Sequence, residues 1–182
     1  RNPHFHTISF CDVKFFVDDD ASDDADASND NDDTIQHALA DLLVSTNTNK
    51  EWKQISFRSC QFFGMEDAFH CLHRTNIRTI VIQNCQLNNN NFRSLGNLLS
   101  TSSIQQLEIV DQSFDFVEDD DIQIFANGIQ QLQHLHFRSC TITDPNIATI
   151  IANHGFHSNA TLQSFHIPHC EMEDDIMSIL IN

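Results

Sequence analysis

An eleven-place apolar template recurs six times along this chain and constrains its fold more than any other feature. The clearest copy spans residues 132–142, with Leu132, Leu135, Phe137 and Ile142 at the first, fourth, sixth and eleventh places and Cys140 at the ninth. The same places are held by Phe5, Ile8, Phe10, Phe15 and Val13, by Trp52, Ile55, Phe57, Phe62 and Cys60, and by Ile77, Ile80, Ile82, Leu87 and Cys85. Ile104, Leu107, Ile109, Phe114 and Gln112 follow, and the last copy is Leu162, Phe165, Ile167, Met172 and Cys170. Starts at 5, 52, 77, 104, 132 and 162 give steps of 47, 25, 27, 28 and 30 residues. One short apolar run arises by chance. Six in one register mean units too small to bury their own apolar faces, which stacking on neighbours buries instead.

This pattern, L-x-x-L-x-L-x-x-C/N-x-L with other apolar residues standing in for leucine, resembles the leucine-rich repeat family. Steps of 27 to 30 and cysteine at the ninth place are most similar to its ribonuclease-inhibitor-like branch. The resemblance covers nearly the whole chain, so residues 1–182 are expected to form a single leucine-rich repeat domain. It implies an α/β solenoid, curved and right-handed, of about six strand–helix repeats, with a parallel sheet on the concave face and helices on the convex side. It also implies a structural ladder of Cys60, Cys85, Gln112, Cys140 and Cys170, placed where the family turns the chain inward after each strand. There a thiol donates a weak hydrogen bond to a carbonyl of the neighbouring turn, which needs no disulfide. Reduced thiols point to a cytoplasmic or nuclear location. Cys71 is expected in helical packing, and Cys11 falls two residues before its ladder place, where Val13 sits. GTPase activation is known in this branch, but no residues here carry it over.

The first step is too long by about the length of residues 18–33, a run of Asp, Ala, Ser and Asn with no large apolar side chain after Val17. Such a run cannot offset its ordering entropy by burial, so it is expected to be a disordered acidic insertion within the first repeat. A calcium loop needs glycine at its sixth place and a bidentate Glu at its twelfth, and no frame here has both. Helical spacing then follows in Ile35, Leu39, Leu42 and Leu43 behind Thr34, and in Phe92, Leu95, Leu98 and Leu99. It recurs in Ile147, Ile150 and Ile151, with Asp144 as N-cap and Pro145 at the first helical position, and in Met177 and Leu180. Residues 117–121 form a second, smaller acidic insertion where the fourth strand gives way to its helix. The chain has no initiator Met, and its last residues stop inside a helix pattern, so it reads as a piece of a longer array.

Nine basic against 26 acidic residues leave a net charge of −17. That balance argues against nucleic acid, whose backbone needs Lys and Arg clusters, and against anionic membrane surfaces. A basic protein partner would be attracted, mainly through faster association. No apolar run is long enough for a transmembrane helix. The sequon at Asn159 is expected by chance in an Asn-rich chain.

On parallel strands the places between the apolar ones stack into columns on one face. The fifth-place column is Ser9, Ser56, Val81, Glu108, His136 and His166; the seventh is Cys11, Arg58, Gln83, Val110, Arg138 and Pro168. The third ends in Gln106, His134 and Ser164. Arg58, Gln83, Glu108, His134, His136, Arg138 and His166 are therefore the expected partner-binding residues, with Arg58 and Arg138 the anchors for a partner carboxylate. The cluster His134, His136, His166 and His169 admits two other readings, an imidazole-bound metal and a pH-sensitive contact. A third is that the domain is a spacer for a flanking domain. No phosphate loop, nucleophile elbow or helical pair of metal ligands occurs, so neither an enzyme nor a bound cofactor is expected.

Overall fold

The computed structural model describes residues 7–16, 52–63, 69, 72–73 and 75–181. The acidic run at 18–33, the stripe of Ile35, Leu39, Leu42 and Leu43, and Cys71 lie outside the described residues. Strands β1 (Thr7–Cys11), β3 (Gln54–Arg58), β5 (Thr79–Gln83), β6 (Gln106–Val110) and β7 (His134–Arg138) each occupy the third to seventh places of a template copy. The last, β8 (Ser164–His166), occupies the third to fifth. They form one parallel sheet in the order β1-β3-β5-β6-β7-β8. Just beyond the turn, β2 (Lys14–Phe16) and β4 (Gln61–Phe63) make a second, two-stranded parallel sheet. This is a mixed α/β architecture that fits a leucine-rich-repeat-like fold.

Register follows the template. Ile8 pairs with Ile55, Ile55 with Ile80, Ile80 with Leu107, Leu107 with Leu135, and Leu135 with Phe165. A slip of one residue would carry every buried side chain to the opposite face, so the apolar fourth and sixth places specify this register strongly. Phenylalanines fill the slab behind the sheet. Phe57 meets Phe62 and Phe69 at centroid distances of 5.5 and 5.9 Å, and Phe92, Phe114, Phe125 and Phe137 form a second chain of rings.

Each strand stops in the same way. Among the described residues, the six non-glycine residues with positive φ are Asp12, Ser59, Asn84, Asp111, Ser139 and His169, with φ between 50 and 59°. All hold the eighth place of a copy, and small polar residues and His tolerate that left-handed conformation best. The turn aims each amide at the next strand: Ser59 donates to the carbonyl of Gln83 (2.9 Å), Asn84 to that of Val110 (2.9 Å) and Asp111 to that of Arg138 (3.0 Å). At the ninth place, the thiols of Cys60, Cys85, Cys140 and Cys170 donate to the carbonyls of Phe10, Phe57, Ile109 and Phe137 at 3.3 to 3.6 Å. Every acceptor is the sixth-place residue of the preceding copy. Gln112 holds the ladder place without making that bond. Its amide donates to the carbonyl of its neighbour Ser113, and its own carboxamide oxygen is buried without a partner.

Helices return the chain between strands. Helix α1 (Asn89–Thr101) is capped by Asn88 in a reciprocal box with Asn91 and buries Phe92, Leu95, Leu98 and Leu99. Helix α2 (Asp119–Ile129) carries three Asp residues in its first turn, where the helix dipole favours them. Helix α3 (Pro145–Ile150) begins as its sequence implies, with Asp144 accepting from the amide of Asn146 and Pro145 in the first turn. It widens into a π-helical segment, Ile151–Phe156, closed by His157 donating to the carbonyl of Ala152. In α4 (Asp174–Ile181) the buried stripe is Ile176 and Leu180, one residue earlier than the expected Met177, because these two lie one turn apart on the core side. The sequon residue Asn159 is structural. Its amide donates to the carbonyls of Ile129 and Leu132, and its carbonyl accepts from the amides of Thr161 and Leu162.

The α1–α2 contact is made glycine to glycine. A methyl group on Gly96 would stand 2.5 Å from the carbonyl oxygen of Ile124, and one on Gly128 2.5 Å from that of Gly96, whereas on Gly155 the nearest atom is 3.4 Å away. Overpacking against backbone costs about 1 to 3 kcal/mol. Gly96→Ala and Gly128→Ala should each lower the unfolding midpoint by that order in urea titration, and Gly155→Ala should leave it nearly unchanged.

Burial pushes the Cys140 thiol up to about 12 and that of Cys85 up to about 11, and raises those of Cys60 and Cys170 as well. The thiolate is the reactive form. Alkylation of the native chain near pH 8, located by peptide mapping, should therefore label exposed Cys11 well before Cys60, Cys85 or Cys140; equal labelling would show that the ladder opens readily.

Candidate functional site

Glu108, His136 and His166 follow one another across β6, β7 and β8, because the register sets Glu108 beside His136 and His136 beside His166. The two imidazole rings lie parallel, 4.6 Å apart at their centroids with 4° between their planes. Two residues along β7 on either side of His136 stand His134 and Arg138. His134 Nδ1 is 2.9 Å from Ser164 Oγ, and Arg138 Nη2 is 3.4 Å from Glu108 Oε1. Glu108, His134 and His136 are half-buried, while Arg138 and His166 are exposed. Five of the seven expected partner-binding residues thus form one continuous patch at the β6–β8 end of the sheet.

Arg58 and Gln83 do not join that patch. In the seventh-place column Arg58 is followed by Gln83, Val110 and only then Arg138, a separation of about 14 Å at the usual spacing of parallel strands. Arg58 and Arg138 therefore stand at separate places on the face. Between them the face is closed: Ser56 is 1 % exposed, Val81 9 % and Val110 3 %. The fifth-place column is not rich in solvated groups at β3 and β5, where Ser56 and Val81 are covered, and the Ser56 hydroxyl has no hydrogen-bond partner.

Geometry does not favour a metal at the histidines. Imidazole lone pairs lie in the ring plane, so two stacked parallel rings do not converge on one ion, and His134 Nδ1 is already in contact with Ser164. His169 stands apart in its role, as the left-handed residue of the turn after β8. Among the described residues no group of three His, Cys, Asp or Glu side chains could hold a metal ion, and no helix is long and apolar enough to cross a membrane.

What the sequence columns missed is the pairing of Glu108 with Arg138. It is diagonal, from the fifth place of one strand to the seventh of the next, and comparison within single columns does not reveal it.

Partial burial of His136 lowers its pKa below the ordinary 6.5, and so do the neighbouring His166 and His134, while Glu108 opposes them. A depressed histidine binds protons more readily in the unfolded chain, so its contribution to stability is full above about pH 6.5 and is lost as pH falls towards the lowered value. Unfolding midpoints measured from pH 7.5 down to 5 should fall, and His136→Gln should make the fall shallower. An unchanged slope in the variant would show that His136 is not a source of it.

A model of the PRAME C-terminal domain family matches residues 31–180, most of the chain. No curated protein matches it significantly.

Proposed function

Because the chain belongs to the family of PRAME C-terminal domains, a family of leucine-rich repeat proteins, we propose that it is a protein-interaction module. Its working surface is the outer face of the parallel sheet at β6–β8. The observation that carries this reading is the patch of Glu108, His134, His136, Arg138 and His166, five polar side chains set on neighbouring strands by backbone pairing alone. A rigid sheet presents them at little further cost in conformational entropy on binding, which is what makes such surfaces efficient. Arg138 and the exposed edge of His166 would contact the partner first, and the Glu108 carboxylate would hold the guanidinium in place.

The shape that goes with this reading is a right-handed, curved solenoid of about six ribonuclease-inhibitor-like repeats. Steps of 25 to 30 residues, cysteine at the ninth place and a helix after the later strands support it, as does the near-universal right-handedness of parallel crossovers. The acidic balance favours a basic protein partner, and the reduced ladder thiols favour the cytoplasm or nucleus. The module acts by display and needs no catalysis or cofactor.

Pull-down with the intact chain identifies partners, and titration of a recovered partner tests the surface. Arg138→Ala with His136→Ala should weaken binding by at least about 30-fold, the scale of a binding hot spot, with the thermal midpoint held within a few degrees. Undiminished binding by that variant would remove the β6–β8 face as the site and favour a spacer role or another surface.

A further inference from the structure

We propose that a second, independent docking site lies at the strand-to-helix turns, in the groove between the turns that lead into α1 and α2, and that it takes an arginine-bearing basic segment of a partner protein. The groove encloses about 590 Å3 and is lined on its apolar side by Leu87, Phe116 and Val117. Phe116 is 88 % exposed, whereas Phe57, Phe69, Phe92, Phe114, Phe125 and Phe137 are all fully buried. Leaving a phenyl ring in water forfeits burial that every neighbouring phenylalanine obtains. The ring stands at the wall of the groove with most of its surface open to water, where a partner can reach it.

Charge decides what the occupant is. Residues 111–121 contain six acids, Asp111, Asp115, Glu118, Asp119, Asp120 and Asp121, and no base; Arg93 also lines the groove, and Asp121 pairs with it. Three are engaged within the chain. Asp121, 2 % exposed, is bonded to Arg93 at 2.5 Å; Asp119 accepts from the side-chain amide of Asn146, and Asp115 from the backbone amide of Thr143. Glu118 lines the groove and is exposed, and its carboxylate makes no capping bond to its own helix. An aromatic face beside an uncommitted carboxylate suits a guanidinium, which stacks on the ring while its N–H fork bonds the carboxylate. A second copy of this chain, carrying −17 itself, is a poor fit by charge.

The experiment uses the whole chain and a short fluorescent peptide alternating arginine with alanine, read by anisotropy at moderate salt, with a glutamate–alanine peptide as control. Phe116→Ala should weaken the arginine peptide roughly two- to fivefold, the range of an exposed cation–π contact. Glu118→Gln should weaken it at least as much, and the face variant His136→Ala with Arg138→Ala should bind as the parent does. Circular dichroism confirms folding, which the exposure of Phe116 and Glu118 leaves undisturbed. A polycation bound diffusely, for instance through the acidic run at 18–33, would ignore Phe116→Ala, and that result overturns the proposal. So does loss in the aromatic variant alone, equal binding of the glutamate peptide, or no binding by the parent chain.

Discussion

Lateral pairing of one strand with the next, closed at its end by a residue in the left-handed conformation, is the constraint on which the rest of this structure depends. At six positions the eighth place turns the chain out of the sheet, and at five of them the amide is seen to donate to the seventh-place carbonyl of the following strand. The ninth-place thiol reaches the other way, to the sixth-place carbonyl of the preceding strand. In the turns after β3, β5 and β7, two small bonds in opposite directions tie the turn to both neighbours. Because the thiols are buried and held as neutral donors, the ladder costs the core no charge.

That tie sets what the outer face displays. With register fixed, the fifth and seventh places must stack, and side chains far apart in sequence become neighbours without any contact of their own to bring them together. Glu108, His136 and His166 meet in this way, and the Arg138–Glu108 pair forms across the diagonal. The same rule closes the face at its middle, where Val81 and Val110 occupy display places and are buried. The helical side obeys a tighter constraint. Gly96 and Gly128 let α1 and α2 approach until backbone meets backbone, and the acidic first turn of α2 is carried to the groove beside Phe116.

The fold was legible to the extent that it is periodic. Apolar places at fixed offsets located the template copies in which the strands of the main sheet lie, and Phe92, Leu95, Leu98 and Leu99 marked α1 because a single helical face cannot hide its stripe. The left-handed column was present too, as Asp, Ser, Asn, Asp, Ser and His at the eighth place, but its signal is one of small polar residues, not of hydrophobicity, and an apolar template passes over it. Gln112 looked like a ladder residue by position alone; its longer side chain turns back on Ser113 instead. In α4 the constant offset from the cysteine found Leu180 but took Met177 for Ile176, which lies one turn before Leu180 on the core side.

What the sequence determined by itself is what depends on spacing along the chain: repeated units, a parallel sheet, buried cysteines after the strands and a strongly acidic balance. What only the tertiary structure decided depends on distance across it. It separated Arg58 from Arg138 by three strands, stacked His136 on His166 in planes that do not converge on a metal, and turned the sequon at Asn159 into a clasp between turns. It also left Phe116 in water beside a cleft while six other phenylalanines of the same chain are fully buried. Periodicity fixes which side of a strand a residue occupies; exposure and pairing are set by neighbours that the chain brings together from more than twenty residues away.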